Sequence, residues 1–154
     1  MASLSLTRNS NVMRFLPYLI LIIFALPEAS AQPEYLVFGK GGGLSGAVTQ
    51  YRIQNNGKVY KGNGKVDILY SEKGKISKSD AKKIYADLKN IPDTSFHHPG
   101  NIYYFIQLPG DTSDKRYTWG DPAYKVPDAL GELYRSAMDK IAGLKYKTLK
   151  KTLK

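Results

Sequence analysis

The chain has 154 residues, with 23 Lys and Arg against 13 Asp and Glu, 42% hydrophobic residues, 12 tyrosines, two histidines and no cysteine. Without a thiol there is no disulfide framework, no cysteine-ligated zinc or iron–sulfur centre, no thiol nucleophile and no lipid anchored on cysteine. The net charge of +10 bears on partners rather than on fold, and favours anionic ones.

Arg8 and Arg14 precede the apolar stretch Phe15 to Leu26, which is followed by Pro27, Glu28 and the small-residue run Ala29-Ser30-Ala31. This is the layout of a secretory signal peptide over residues 1–31, cleaved after Ala31, with Met13 as an alternative start. The apolar stretch is shorter than the roughly 20 residues that span a hydrocarbon core, which weighs against an uncleaved anchor. Removing residues 1–31, which hold Arg8, Arg14 and Glu28, leaves 123 residues with 21 basic and 12 acidic side chains and a net charge of +9. The expectation is an exported, soluble protein, periplasmic or secreted, with no membrane span in the mature chain.

Tyr35 to Phe38 is a short β-prone run that ends in the glycine cluster Gly39-Lys40-Gly41-Gly42-Gly43. From Ala47 to Gln54, Thr49, Tyr51 and Ile53 alternate with Gln50, Arg52 and Gln54, the pattern of a half-buried strand. Asn55-Asn56-Gly57 then predicts a hairpin, because both central residues of a type I′ turn need positive φ, and Lys58 to Lys61 is the return strand. Gly-Lys followed by a β-branched residue recurs at Gly57, Gly64 and Gly74 with unequal spacing, which is turn punctuation in a meander rather than a solenoid repeat. Val66 to Tyr70 is read as a further strand.

At Ser77 the period becomes helical. Ala81, Ile84, Tyr85, Leu88 and Ile91 form one stripe, Ser77 and Asp80 make a capping pair, and Pro92 stops the helix. Ile102 to Leu108 is apolar on both alternating faces apart from Gln107, which predicts the central and best-buried strand. Pro109 to Asp114 is a polar loop, and Lys115 to Trp119 returns as a hairpin partner before Gly120-Asp121-Pro122 breaks the run. From Asp128, the positions of Leu130, Leu133, Tyr134, Ala137, Ile141 and Leu144 mark a second helix. The order predicts one α+β domain over residues 32–143, a mostly antiparallel sheet of meander plus hairpin packed by two amphipathic helices. Residues 144–154 read as a basic helix end or tail.

Gly41 to Gly46 satisfies G-x-G-x-x-G, but the residues after Gly46 alternate with period two instead of opening a helix, so dinucleotide binding is disfavoured. The segment reads as a turn, or as a ligand loop in which Lys40, Gly41, Gly42 and Gly43 hold an anion. Ser79-Asp80-Ala81-Lys82 matches S-x-x-K, yet its partner motifs are absent and capping explains it. His97 and His98 are the only histidines, too few for a tetrahedral zinc site unaided, and adjacent side chains on an extended segment diverge. Six lysines crowd the last fifteen residues and, if the helix continues, leave Leu144, Tyr146, Leu149 and Leu153 on an apolar side. Such an end reads first as a solvated helix end whose lysines complement the negative C-terminal dipole; it can also rest on anionic lipid, acidic glycan or nucleic acid. Eleven tyrosines follow residue 31; sheet propensity with the hydroxyls toward water accounts for them, and the alternative is a binding face with Tyr117 and Trp119 in it.

Phe38-Gly39-Lys40-Gly41-Gly42-Gly43, the extended run to Tyr51 and the Asn56-Gly57 turn together resemble short exported bacterial proteins of uncharacterised function that carry a Phe-Gly-x-Gly-Gly-Gly segment. The resemblance implies a small envelope or secreted domain and supplies no catalytic residues. The leading expectation is an exported binding or structural protein without cofactor. Its partner is a protein or an anionic glycan or lipid surface, contacted through a Tyr/Lys-rich sheet face or the glycine loop; export argues against nucleic acid. Two alternatives are a small hydrolase or metal-dependent enzyme using His97 and His98, and a membrane-surface protein held by a basic C-terminal helix.

Overall fold

The computed structural model describes residues 33–110 and 114–153. The expected signal segment, residues 1–31, lies outside the described residues. The described part contains eight strands, β1 (Tyr35–Gly42), β2 (Ala47–Gln54), β3 (Lys58–Gly64), β4 (Leu69–Lys75), β5 (Phe96–His98), β6 (Ile102–Leu108), β7 (Lys115–Trp119) and β8 (Lys147–Leu153). It also has two α-helices, α1 (Lys78–Asp87) and α2 (Asp128–Ile141), and a 3-10 turn at Leu88–Asn90. The strands form one sheet in the order β5-β7-β6-β1-β2-β3-β4-β8, and every pairing is antiparallel except β5 on β7. The fold is α+β, with a mostly antiparallel sheet.

Period-two patterning assigns the faces. Leu36 and Phe38 of β1, Ile53 of β2, Val59 of β3, Ile106 of β6 and Tyr117 of β7 point to one side. There they meet Ala81, Ile84 and Tyr85 of α1 and Leu130, Leu133, Ala137 and Ile141 of α2 in a single core. Burying each large apolar side chain is worth about 1.5–3 kcal/mol. Ser77 caps α1 as expected, accepting from the Asp80 N–H at 3.0 Å.

The opposite face carries no helix and covers itself. Gly39 of β1 faces Phe105 of β6, and Gly41 faces Tyr103. A Cβ at Gly39 would run into the Phe105 ring, and one at Gly41 would stand 2.6 Å from the Tyr103 hydroxyl. Gly62 of β3 leaves comparable room beneath Ile68 and Tyr70. Phe105 is thereby fully buried, with Val37 and Val48 beside it. The Arg116 guanidinium lies 3.9 Å over the Phe105 ring, and that of Arg52 lies between Tyr35 and Tyr70 at 4.3 and 4.4 Å.

Several expectations change. The best-buried strand is β1, not β6, because β1 is packed from both faces while the first residues of β6 are exposed, Ile102 to 54%. Gly39 to Gly42 is strand rather than loop, since paired strands β2 and β6 claim its backbone. The fourth strand starts at Leu69, not Val66, because β3 extends to Gly64 and the hairpin closes at Asn63 and Leu69. The basic helix end expected after Leu144 is strand β8, which takes up the free edge of β4. The extended segment containing His97 and His98 is β5, a short edge strand paired with β7.

Tyrosine hydroxyls tie the layers together through main-chain carbonyls: Tyr85 to Ile53 (3.0 Å), Tyr117 to Pro92 (2.6 Å), Tyr134 to Gly39 (3.2 Å) and Tyr146 to Ile141 (2.8 Å). Burial pushes all four hydroxyls above the ordinary tyrosine pKa.

Gly39→Ala should cost about 1–3 kcal/mol by forcing Phe105 off the sheet. Gly131→Ala, inside α2 with open space around it, should gain up to about 1 kcal/mol. Urea unfolding of both variants measures the contrast. Alkali gives a second outcome. Unfolded tyrosines lose their protons near pH 10 while the buried ones keep them, so stability is complete below about pH 10 and falls as pH rises beyond it. Tyr85→Phe should flatten that fall, read from unfolding midpoints across the alkaline range.

Candidate functional site

Where β3, β4 and β8 meet, Lys58, Tyr60, Lys73, Gly74, Lys75, Lys145 and Lys147 line a cleft of about 500 Å³. The sheet register builds it. Lys58 stands opposite Lys75, Tyr60 opposite Lys73, and Lys73 opposite Lys147. These side chains share the face opposite the helices, since Val59 between Lys58 and Tyr60 points into the core. Like charges directly opposite on paired strands are destabilising, and the cleft holds two such pairs.

The segment after α2 supplies the last wall. Gly74 lies 3.2–3.3 Å from where Tyr146 and Leu144 pack, measured from a Cβ placed on it, so its missing side chain lets that segment close on β4. Tyr146 is fixed there by its bond to Ile141 and by Lys61 at 5.5 Å over its ring. Lys145 and Lys147, on either side of Tyr146, are then directed to the cleft. Glu72, the carboxylate nearest in sequence on β4, pairs with Lys61 at 2.9 Å. Among the described residues, the ion pairs go to Lys61, Lys115 and Lys140, and none of the five cleft lysines has one. An anion entering the cleft would meet five ammonium groups and the side chain of Tyr60.

The residues singled out in the sequence fall elsewhere. Lys40, Gly41, Gly42 and Gly43 border a dent of about 200 Å³ with Thr49 and Ile102. The amides that an anion-binding nest would offer are partly committed: Gly43 N–H donates to Asn101 O at 2.7 Å and Gly46 N–H to Gly43 O at 3.1 Å. The glycines serve aromatic packing at Gly39 and Gly41 and positive φ at Gly42 (101°) and Gly43 (70°). His97 and His98 point to opposite faces of β5, so they do not converge on a ligand; His98 stacks on Tyr124 at 3.9 Å between ring centres. Among the described residues no three His, Asp or Glu side chains are grouped to hold a metal. Tyr117 is 1% exposed and bonded to Pro92, which makes it a core residue rather than part of a binding face. Trp119 is half-exposed and packs against Tyr104 and Tyr134. Lys40, Tyr104, Trp119 and His98 do occupy successive positions in one cross-strand row on the helix side.

No family model matches the chain, and no curated protein matches it.

The crowded lysines oppose folding while the cleft is empty. Lys75→Glu, which turns the Lys58–Lys75 pair into an attractive one, should stabilise the free protein by about 0.5 kcal/mol. The gain should shrink as salt is added, because these groups face solvent. Thermal unfolding at low and high ionic strength measures both.

Proposed function

We propose that this protein is an exported binding protein whose lysine cleft holds an acidic glycan. The observation that carries the reading is the convergence of five unpaired lysines on one cleft of about 500 Å³. Opposed like charges are a cost to the free fold, and a bound polyanion turns that cost into attraction. The arrangement suits repeated carboxylate or sulfate groups. Lysines are point charges on flexible stems and do not impose the planar two-point geometry that arginine imposes on a single anion. Tyr60 adds a flat ring beside them, the kind of surface that packs on a sugar. The signal-like segment from Arg8 to Ala31 supports an extracytoplasmic setting, where acidic polysaccharides are abundant and nucleic acid is not.

The test is calorimetric titration with heparin and alginate as acidic probes, with dextran as the neutral control. The wild-type chain should bind both acidic polymers, with affinity falling steeply as salt rises, and should ignore dextran. Lys58→Glu, Lys73→Glu and Lys75→Glu together should reduce affinity by more than about tenfold and flatten the salt dependence. Equal affinity of the triple variant and the wild type would remove the cleft as the site.

A further inference from the structure

At the other end of the sheet the surface changes character. The six large hydrophobic side chains that stand exposed among the described residues are Leu44, Val66, Leu69, Ile102, Tyr104 and Leu153, with Leu44 fully exposed and Val66 93% exposed. Register puts them all at one end. Leu44 sits in the turn that joins β1 to β2 at Gly42 and Ala47, and Gly42 is paired with Ile102. Val66 sits in the turn that joins β3 to β4 beyond Asn63 and Leu69, and Leu153 of β8 faces Tyr70 just beside it. The opposite end closes with the polar turn Asn55-Asn56-Gly57 and the lysine cleft.

Scattered apolar side chains on a surface are ordinary, but apolar tips gathered at one end mark an interaction site. The tips are layered. Outermost are Leu44 and Val66, which pack on nothing. Next come the half-exposed rings of Tyr103, Tyr104 and Trp119, one to two residues further along β6 and its partner β7. Amphipathic aromatic rings of this kind settle at the level of lipid headgroups. Lys40, Lys65, Lys150 and Lys151 lie among or beside the tips, against Asp67 and Asp121. Apolar points flanked by aromatic rings and an excess of lysine match the chemistry of an anionic bilayer surface, where lysine stems reach back to the headgroups.

We propose that the β1–β2 and β3–β4 turns insert Leu44 and Val66 into an anionic lipid surface, docking the domain by the end of its sheet. The lysine cleft then faces away from the bilayer, separated from it by the length of β3, about 20 Å. Attachment runs through turns and not through a C-terminal helix, since residues 147–153 are strand β8. This docking is independent of what the cleft binds.

The test compares the full chain with its Leu44→Ser, Val66→Ser double variant, so that the apolar segment near the N-terminus is common to both. Neither side chain packs on a neighbour, and unchanged circular dichroism and unfolding midpoints establish that the variant is folded. Trp119 is the sole tryptophan and reports on its own surroundings. With phosphatidylcholine vesicles containing phosphatidylglycerol, the wild type should co-sediment, its emission should shift to the blue, and brominated lipid should quench it. The double variant should partition at least about tenfold more weakly and lose the excess quenching. Equal partition of the two chains would overturn the proposal. So would binding that disappears with the Lys58→Glu, Lys73→Glu, Lys75→Glu variant but not with the double variant, which would make the lipid merely a polyanion for the cleft. A concentration-dependent dimer that the double variant abolishes, without vesicle binding, would assign the tips to a second copy of the chain instead.

Discussion

Phe105 rests on the bare backbone of Gly39, and the rest of the molecule is arranged around that contact. On one side of β1 the absent Cβ admits an aromatic ring lying flat on the sheet. On the other side the Gly39 carbonyl accepts the Tyr134 hydroxyl of α2. One residue thus joins the helical layer to the uncovered face. Without such a floor the helix-free face of β1 and β6 would present a hydrophobic strand to water. With it, the ring is fully buried under Arg116, whose charge is drawn to the aromatic face and whose stem excludes solvent. Arg52 repeats the device between Tyr35 and Tyr70. Its Nε is buried without a hydrogen-bond partner in the protein, a cost of about 1–3 kcal/mol that two ring contacts of about 0.5–2 kcal/mol each offset.

The same physics explains why the tyrosine count misleads. An excess of tyrosine in a basic chain suggests a surface for partners, but Tyr85, Tyr117, Tyr134 and Tyr146 are struts, each with its ring in or against the core and its hydroxyl on a carbonyl. A two-layer domain of this size has few side chains that can fill the space between layers and still satisfy a carbonyl at the far end. Tyrosine does both, which is why its ionisation and the fold are linked.

Local patterning made much of the fold legible. The alternation in β2, the Asn-Gly turn, the stripes of α1 and α2 and the apolar run of β6 all depend on near neighbours. What escaped depended on pairing partners far along the chain. The run from Gly39 to Gly42 has the composition of a loop, and only β2 and β6 on either side make it a strand. Residues 147–153 have a period that fits a helix as well as a strand, and the open edge of β4 decides between them. The site escaped for the same reason. Lys58, Lys75 and Lys147 stand far apart in sequence, and no spacing rule shows that register sets Lys58 against Lys75 and Lys73 against Lys147.

Both ends of the sheet carry features that work against the isolated fold: opposed lysines at one, unpacked apolar tips at the other. Edge lysines alone have a simpler purpose, since charge on an outer strand discourages further strand addition. That purpose is compatible with Lys150 and Lys151 on the edge strand β8, alongside the lipid contact proposed for them. It does not account for Lys58 on β3, two strands in from the edge, nor for a lysine set opposite it. Protection against aggregation likewise fails to explain Leu44, because a polar residue in that turn would serve better. Each feature costs the isolated domain something and lies where a ligand of complementary chemistry, an anion for the lysines and an apolar phase for the tips, would relieve it. The sheet between them, stiffened on both faces by aromatic rings, keeps the two ends apart, so that an anion at one and an apolar phase at the other can be engaged at once without competing for the same side chains.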